Sequence, residues 1–315
     1  MYEENQGILK ELVESGAVLW PDAVQKKPDG TLDLTANKTL WNKAVARFQA
    51  IPLWEEGAPG FDGRDPDQIQ PCLVFVPGLG QDRPRGTVIV SHGGAFLCRA
   101  GHEGFHTAWS FAKAGFNVAV LTYRLSPYTR LDAIADLQRA IRLLRHRAGE
   151  LGITQRIAVL GFSAGGMLSG NCATHYDGGD PAAADPVERQ SCRPDAAVLC
   201  YGAFATTAFP GGMFVSPFAP TAQERAMKLY LSPENNVTAD TPPFFIWQTI
   251  SDDPRNSFVL GSALTQAGVP FELHCFDEGY HGVGLADGAN DSGFRGEHLM
   301  HWSELCAEWL KKYHI

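Results

Sequence analysis

The sequence lacks several features that mark other classes of protein. Its 315 residues carry a net charge of −9 and no run rich in lysine or arginine, so we expect no nucleic acid partner. No apolar stretch approaches the roughly 20 residues that a helix needs to cross a bilayer, so no membrane partner is expected either. The N-terminus lacks a basic segment followed by an apolar one, which predicts mature sequence without a secretion signal.

Cysteine is also used sparingly. The seven cysteines are scattered, and no two of them form a C-x-x-C pair. An odd number at irregular spacing is typical of free thiols, not of a disulfide scaffold, and predicts a cytoplasmic protein. Internal repeats and low-complexity tracts are absent as well. Apolar residues make up 44% of the chain, which is ordinary for a globular protein that buries a full core.

What the chain does contain is an alternation of strands and helices. The predicted strands are short apolar runs, most of them with β-branched residues, at 72–76, 87–91, 118–122, 157–160, 196–201, 244–249 and 271–276. The predicted helices between and after them cover 131–151, 164–176, 257–267 and 299–313. This alternation predicts an α/β fold with a mostly parallel central sheet and helices on both faces. Such sheets carry their functional sites at the carboxyl ends of the strands.

The first 60 residues follow a different pattern. Two short amphipathic helices are predicted at 7–15 and 38–48, joined by a turn. We interpret residues 1–60 as an extension packed on the core, and residues 61–315 as one catalytic domain. Two stretches rich in Gly, Pro, Ala and Asp, at 177–194 and 205–222, are predicted to be surface insertions near the mouth of the pocket.

A serine motif lies between one predicted strand and the helix after it. Gly161-Phe162-Ser163-Ala164-Gly165 fits the pattern G-x-S-x-G, with an apolar strand leading in and a helical pattern leading out. A serine at such a sharp turn has its Oγ exposed at the top of the sheet, and flanking glycines leave room for the turn. The context predicts Ser163 as a nucleophile. The alternative is a plain glycine-rich turn between a strand and a helix.

A serine hydroxyl needs a base to react near neutral pH. His281 follows the last predicted strand in a short loop, from which an imidazole can reach Ser163. His274 lies within that strand and is interpreted as structural. The acid that orients the histidine is expected after the preceding strand, where Asp252 and Asp253 compete. Asp252 is favoured because the proline after Asp253 restrains that residue, but the choice stays open.

Residues 92–106, HGGAFLCRAGHEGFH, carry two competing signatures. The first half follows strand 87–91 directly and is typical of a loop whose backbone N–H groups bind an oxyanion. The predicted oxyanion hole combines this loop with the residue after the serine: Gly93, Gly94, Ala95 and Ala164.

The second half of this stretch fits the zinc-protease pattern H-E-x-x-H. In that interpretation His102 and His106 bind zinc and Glu103 is the general base. Gly104 weakens the helix that such a site needs, and no third ligand is evident. A zinc mechanism would also leave the predicted serine and histidine unexplained. We therefore interpret 102–113 as the helix after the oxyanion loop, and we expect neither a metal nor another cofactor.

Taken together, these residues resemble bacterial α/β-hydrolases of the acetyl xylan esterase-like type, related to the hormone-sensitive-lipase and alpha/beta hydrolase fold-3 esterases. The similarity covers roughly residues 50–312. It rests on seven segments, namely 53–60, 92–94, 123–127, 161–166, 241–244, 267–274 and 281–285.

This resemblance implies an α/β-hydrolase fold and serine-dependent hydrolysis of carboxylic esters, often acetyl groups on sugars. The order Ser163, Asp252, His281 is the order expected of such hydrolases. The family's acid stands in a D-D-x-x-V-P context, of which 252–257 looks like a shortened form, so Asp253 remains an alternative. The expected partner is a small-molecule ester, and a homodimer is left open. The alternatives are a relative that hydrolyses amides or peptides, and a catalytically inactive binding protein.

Overall fold

An eight-stranded sheet runs through the middle of the molecule in a computed structural model that describes residues 2–203, 205 and 225–315. The strands in this part of the chain are β1 (Gln25–Lys26), β2 (Leu32–Asp33), β3 (Ile51–Pro52), β4 (Cys72–Val76), β5 (Thr87–Ser91), β6 (Asn117–Thr122), β7 (Ile157–Phe162), β8 (Ala196–Cys200), β9 (Phe244–Thr249) and β10 (Phe271–Phe276). Across the large sheet the order is β10-β9-β8-β7-β5-β6-β4-β3. Only β4 runs antiparallel to its neighbours, β3 and β6, while the other pairs in this sheet are parallel.

The central strands are apolar throughout because both of their faces are covered. Every residue of β4 to β9 is buried, as expected for a sheet enclosed between helices. The seven strands predicted from the sequence are confirmed, with ends that differ by no more than two residues. The sequence analysis missed β1, β2 and β3, because two residues each are too few to show a strand period.

The helices cover both faces of the sheet. They are α1 (Glu4–Glu14), α2 (Thr35–Val45), α3 (Thr107–Lys113), α4 (Arg130–His146), α5 (Ala148–Leu151), α6 (Ala164–Thr174), α7 (Arg225–Tyr230), α8 (Arg255–Ala267) and α9 (Trp302–Lys311). One apolar core lies between the sheet and α1, α2, α3 and α9, and a second lies on the opposite face against α4, α6 and α8. The predicted mostly parallel α/β architecture is therefore confirmed.

Two predicted helices are wrong in detail. The helix expected over 131–151 is divided at Arg147, whose backbone leaves the helical region. Glycines at positions 149 and 152 weaken this end of the segment, so the break costs little. The helix expected over 102–113 begins as a π-helical turn, His102–His106, and becomes α-helical only at Thr107.

The N-terminal segment packs directly on the sheet. Leu9 of α1 and Trp41 of α2 are completely buried in the first core. The side-chain amide of Asn5 donates to the Phe75 carbonyl of β4 across 2.8 Å. Strand β3 is paired with β4, so the sheet itself begins before residue 60. The division of function between residues 1–60 and 61–315 stays a prediction.

The two predicted insertions differ in what can be said of them. The first, 177–194, is tied to α4 by ion pairs from Arg139 to Glu188 and from Arg142 to Asp177. The second, 205–222, lies outside the described residues except for Ala205. None of the described helices is both long enough and apolar enough to span a bilayer.

Candidate active site

Ser163 stands at a strained turn between β7 and α6. Its backbone has φ +52° and ψ −115°, a region that residues other than glycine rarely occupy and that costs of order 1–3 kcal/mol. The Ser163 N–H donates to the Cys200 carbonyl of β8 across 2.9 Å, which holds this conformation. Ser163 is 5% exposed. The turn therefore aims the hydroxyl at the rim of the sheet, as the motif predicts.

Two glycines beside the serine are required by close approach. A Cβ on Gly161 would overlap the Gly165 carbonyl, and a Cβ on Gly165 would overlap the Ser91 carbonyl of β5. The obstacles are backbone atoms, which cannot move aside as a flexible side chain could. The G-x-S-x-G spacing is thus dictated by packing between β7, α6 and β5.

Ser163, His281 and Asp252 form a hydrogen-bonded row at the carboxyl ends of three strands. Ser163 Oγ lies 2.7 Å from His281 Nε2, and His281 Nδ1 lies 2.6 Å from Asp252 Oδ2. Asp252 ends a 3₁₀ turn after β9, and His281 lies in the loop after β10. Because the carboxylate only accepts, Nδ1 carries the proton, and Nε2 is left to accept from the serine. The arrangement can move a proton from the hydroxyl to the imidazole.

The neighbouring carboxylate of Asp253 points elsewhere. Its two oxygens accept from Arg255 Nε and Nη2 across 2.6 and 2.7 Å, and its backbone has φ +45°. The guanidinium of Arg255 lowers the pKa of Asp253. The structure brings Asp252 to His281 and leaves Asp253 in a surface ion pair.

The predicted oxyanion loop lies after β5, next to the serine. Within the described part of the chain, the N–H groups of Gly94 and Ala95 donate to no other backbone or side-chain atom. The N–H of Ala164 belongs to the first turn of α6, where backbone donors have no partner within the helix. These three groups can therefore bind an anion.

Gly93, the fourth residue predicted for the oxyanion hole, differs from the other three in that its N–H has a partner. Its N–H donates to Glu103 Oε2 across 2.6 Å, so this donor is already used. Glu103 is 2% exposed, and its other oxygen, Oε1, accepts from the Tyr201 hydroxyl across 2.7 Å. Glu103 thus holds the loop instead of acting as a base for a metal site.

Tyr201 is a site residue that the sequence reasoning missed. Its hydroxyl also accepts from the Gly284 N–H, 2.9 Å away, and its ring lies 5.1 Å from the His281 ring between centroids. Burial and the charge of Glu103 raise the pKa of Tyr201 well above 10, so the phenol stays protonated. Its position directly after β8 was the available signal, since parallel strands present their carboxyl ends at one rim.

A comparison with protein-family models matches residues 74–257, more than half of the chain, to BD-FAE. The chain belongs to the BD-FAE family. A solved structure, that of the acetyl ester-xyloside bifunctional hydrolase from Caldicellulosiruptor lactoaceticus, is 37% identical to this chain. It superposes with a TM-score of 0.76 over 84% of this chain and 96% of that chain.

Two curated proteins are similar to this BD-FAE chain over part of their length. Endo-1,4-beta-xylanase B of Butyrivibrio fibrisolvens is 32% identical over 80% of this chain and 40% of its own. Probable carboxylic ester hydrolase LipM of Mycobacterium tuberculosis is 30% identical over 53% of this chain and 43% of its own. The chain therefore spans less than half the length of these relatives. Together the matches confirm the predicted fold and family.

In this BD-FAE chain the two histidines of H-E-x-x-H contact different acids. His102 Nε2 lies 2.9 Å from the Gly282 carbonyl, and its Nδ1 lies 3.4 Å from Asp291 Oδ1. His106 Nε2 lies 2.8 Å from Asp287 Oδ2. The described residues contain no group of three or more His, Cys, Asp or Glu side chains placed to hold a metal ion. The turn His102–His106 instead contacts the segment after β10 at three residues, Gly282, Asp287 and Asp291.

The contact between His102 and Asp291 makes stability depend on pH. Burial alone would lower the pKa of His102, but the carboxylates of Asp291 and Glu103 outweigh it and raise that pKa above 6.5. Burial would raise the pKa of Asp291, but His102 outweighs it and holds that pKa below 3.8. The contribution of the histidine is complete below its unfolded pKa and is lost as the pH rises through the raised folded value. The contribution of the carboxylate is complete above its unfolded pKa and is lost as the pH falls through the lowered folded value.

We expect Asp291→Asn to lower the free energy of unfolding by about 1–3 kcal/mol near pH 6, because it removes a charged partner of a buried histidine. The difference from the wild type should shrink as the pH rises above about 6.5. Urea unfolding at several pH values between about 5 and 9 measures both. Asp82→Asn is the matched control. Asp82 is exposed, and its distance of 4.0 Å from Arg85 makes a weak ion pair. A loss that stays constant over this range would contradict the assignment.

Proposed function

We propose that this chain hydrolyses short-chain carboxylic esters through Ser163, His281 and Asp252. The observation that carries the proposal is the hydrogen-bonded row of these three side chains, with distances of 2.7 and 2.6 Å. Nucleophile, base and orienting acid are the parts that acyl transfer needs, and they stand here in their working order.

In the proposed mechanism Ser163 Oγ attacks the ester carbonyl while His281 Nε2 takes its proton. Asp252 holds the imidazole and stabilises the imidazolium that forms. The negative charge on the former carbonyl oxygen is bound by the N–H groups of Gly94, Ala95 and Ala164, and each such donor is worth roughly 3 kcal/mol in the transition state. The imidazolium protonates the leaving alcohol, which leaves an acyl group on Ser163. Water activated by His281 then releases the acid.

The proposed substrates are acetyl esters of carbohydrates. Support comes from the Caldicellulosiruptor lactoaceticus hydrolase, whose name combines an acetyl ester with a xyloside and which is 37% identical to this chain. An amide- or peptide-hydrolysing enzyme and an inactive binding protein are the alternatives that the experiment must exclude. The cytoplasmic location and a homodimer stay predictions from the sequence.

A hydrolysis panel tests this proposal. We expect kcat/KM to be highest for p-nitrophenyl acetate and to fall by at least about tenfold for the octanoate, because a pocket that fits acetyl excludes a long chain. Acetylated xylo-oligosaccharide should release acetate, and a peptide p-nitroanilide should react far more slowly. Faster cleavage of the octanoate or the anilide would overturn the assignment. No hydrolysis, together with no labelling of Ser163 by a fluorophosphonate, would favour a binding protein.

A further inference from the structure

A buried cation lies beneath the oxyanion loop. Arg99 is 2% exposed, and its guanidinium carbon lies 5.4 Å from the Trp41 ring and 5.9 Å from the Tyr123 ring, measured to the centroids. Among the residues that the structure describes, no carboxylate comes within ion-pair distance of it, and its Nη2 has no hydrogen-bond partner. Burial lowers the pKa of Arg99 to about 10, so it stays charged at neutral pH.

In its lack of a carboxylate partner among the described residues, Arg99 differs from Arg124, another buried arginine. Arg124 donates from Nη2 to the buried Asp136 across 2.7 Å. A buried cation without a carboxylate reduces the stability of the fold, because aromatic rings and one neutral acceptor replace only part of its lost hydration. A contribution to stability therefore does not explain why an arginine is buried at position 99.

The main polar contact of the Arg99 side chain fixes the tautomer of His92. Arg99 Nη1 lies 3.0 Å from His92 Nε2. Since a guanidinium can only donate, Nε2 must accept, and the ring proton is therefore on Nδ1. Nδ1 then donates to the Gly93 carbonyl across 2.6 Å. Complete burial, with Arg99 beside the ring, lowers the pKa of His92 well below 6.5, in agreement with a neutral imidazole.

The Gly93 carbonyl belongs to the same peptide group as the Gly94 N–H. A hydrogen bond accepted by a peptide oxygen polarises the group and makes its N–H a stronger donor, and a chain of such bonds acts cooperatively. The N–H of Gly93 is meanwhile held by Glu103. Both the N–H and the carbonyl of Gly93 are therefore held by hydrogen bonds. The bonds from Arg99 to His92 and from His92 to the Gly93 carbonyl make the Gly94 N–H a stronger donor.

The N-terminal segment completes this cluster. Asn37 of α2 donates from Nδ2 to the Arg99 carbonyl across 2.9 Å, and its Oδ1 accepts from the Arg99 N–H across 2.8 Å. Trp41, one turn later, covers the guanidinium and also contacts the His92 ring, with centroids 4.5 Å apart. The His92 ring is also stacked on Tyr123. Helix α2 therefore shields the Arg99–His92 pair from water.

We propose that Arg99 and His92 are positioning residues that hold the Gly93–Gly94 peptide group and strengthen its N–H as a donor to the oxyanion, with Asn37 and Trp41 of α2 fixing the pair. This inference rests on the proposed esterase function. It also gives the first 50 residues a role in catalysis, through the support of one hydrogen bond in the transition state.

The test compares three substitutions at Arg99 in the full chain. Arg99→Met removes the charge and the donor, Arg99→Gln keeps a donor, and Arg99→Lys keeps both. We expect kcat for p-nitrophenyl acetate to fall by about 10- to 100-fold in the methionine variant, with a smaller loss for glutamine and the smallest for lysine. KM should stay within about twofold, since the ground-state carbonyl carries little charge. Binding of a trifluoromethyl ketone, which forms an oxyanion on Ser163, should weaken in the same order.

The stability of the variants separates positioning from a structural role. We expect the unfolding temperature of Arg99→Met to stay close to that of the wild type, because the substitution removes a buried cation that has no carboxylate partner. Arg83→Met, at an exposed position before β5, is the control and should leave kcat unchanged. A methionine variant with kcat within about twofold of wild type would overturn the inference. So would loss of folding, or equal losses of kcat in all three variants.

The outcome for the wild type keeps the two proposals distinct. An active wild type with an equally active Arg99→Met variant removes only this inference. A wild type that neither hydrolyses p-nitrophenyl acetate nor reacts with a fluorophosphonate removes the esterase function and this inference together.

Discussion

Ser163→Ala is expected to lower kcat for p-nitrophenyl acetate by about 10⁵- to 10⁶-fold, as the loss of the nucleophile does in other serine hydrolases. The substitution removes Ser163 Oγ, the atom that would form the acyl-enzyme and that lies 2.7 Å from His281 Nε2. The oxyanion donors stay in place, so a small rate above water should persist. Initial rates give the loss, and mass spectrometry after fluorophosphonate treatment shows whether the serine is still modified.

Ser169→Ala provides a matched control in the same helix. Ser169 is completely buried in α6, and its hydroxyl has no hydrogen-bond partner within the described part of the chain. Its replacement should leave kcat within about twofold of wild type, because no reacting group touches it. Full activity in Ser163→Ala, with the variant folded, would end the esterase proposal.

Asp252→Asn is expected to lower kcat by about 10⁴-fold, the loss typical of this change in a serine-histidine-aspartate site. An amide in place of the carboxylate 2.6 Å from His281 Nδ1 can donate a hydrogen bond to Nδ1. The imidazole then keeps its proton on Nε2 and cannot accept from the serine. Initial rates at saturating p-nitrophenyl acetate measure the effect.

Asp253→Asn tests the alternative acid at the adjacent position. Its carboxylate is engaged by Arg255, so we expect activity within about threefold of wild type. Surface ion pairs contribute little stability, about 0–1 kcal/mol, so this variant should also fold normally. The reverse pattern, with the large loss at 253, would show that the acid is assigned to the wrong residue.

The sequence could predict the parts of the site that depend on chain order. Ser163 follows a strand inside a glycine motif, and His281 follows the last strand, so topology alone brings them to one rim. The seven longer strands were also accessible, because burial on both faces makes them continuous apolar runs. The sequence favoured Asp252 over Asp253 but could not decide between them. The decision depends on the ion pair between Arg255 and Asp253, which only the structure shows.

The parts that depend on contacts between distant residues could not be predicted. Gly93 was assigned to the oxyanion hole because it belongs to the motif, yet its N–H turns toward Glu103, ten residues later. Tyr201 meets Glu103 across 98 residues of chain, and no local pattern records this contact. The roles of Asn37 and Trp41 in α2 were invisible for the same reason, since the sequence shows only an amphipathic helix there.

The short π-helical turn His102–His106 is a shared anchor for two loops that are far apart in the chain. Through Glu103 it holds the loop that carries the proposed oxyanion donors, and through His102 it holds the loop that carries His281. A shift of this turn would displace the proposed oxyanion donors and the proposed base together. The relative position of the two loops therefore depends on this one turn.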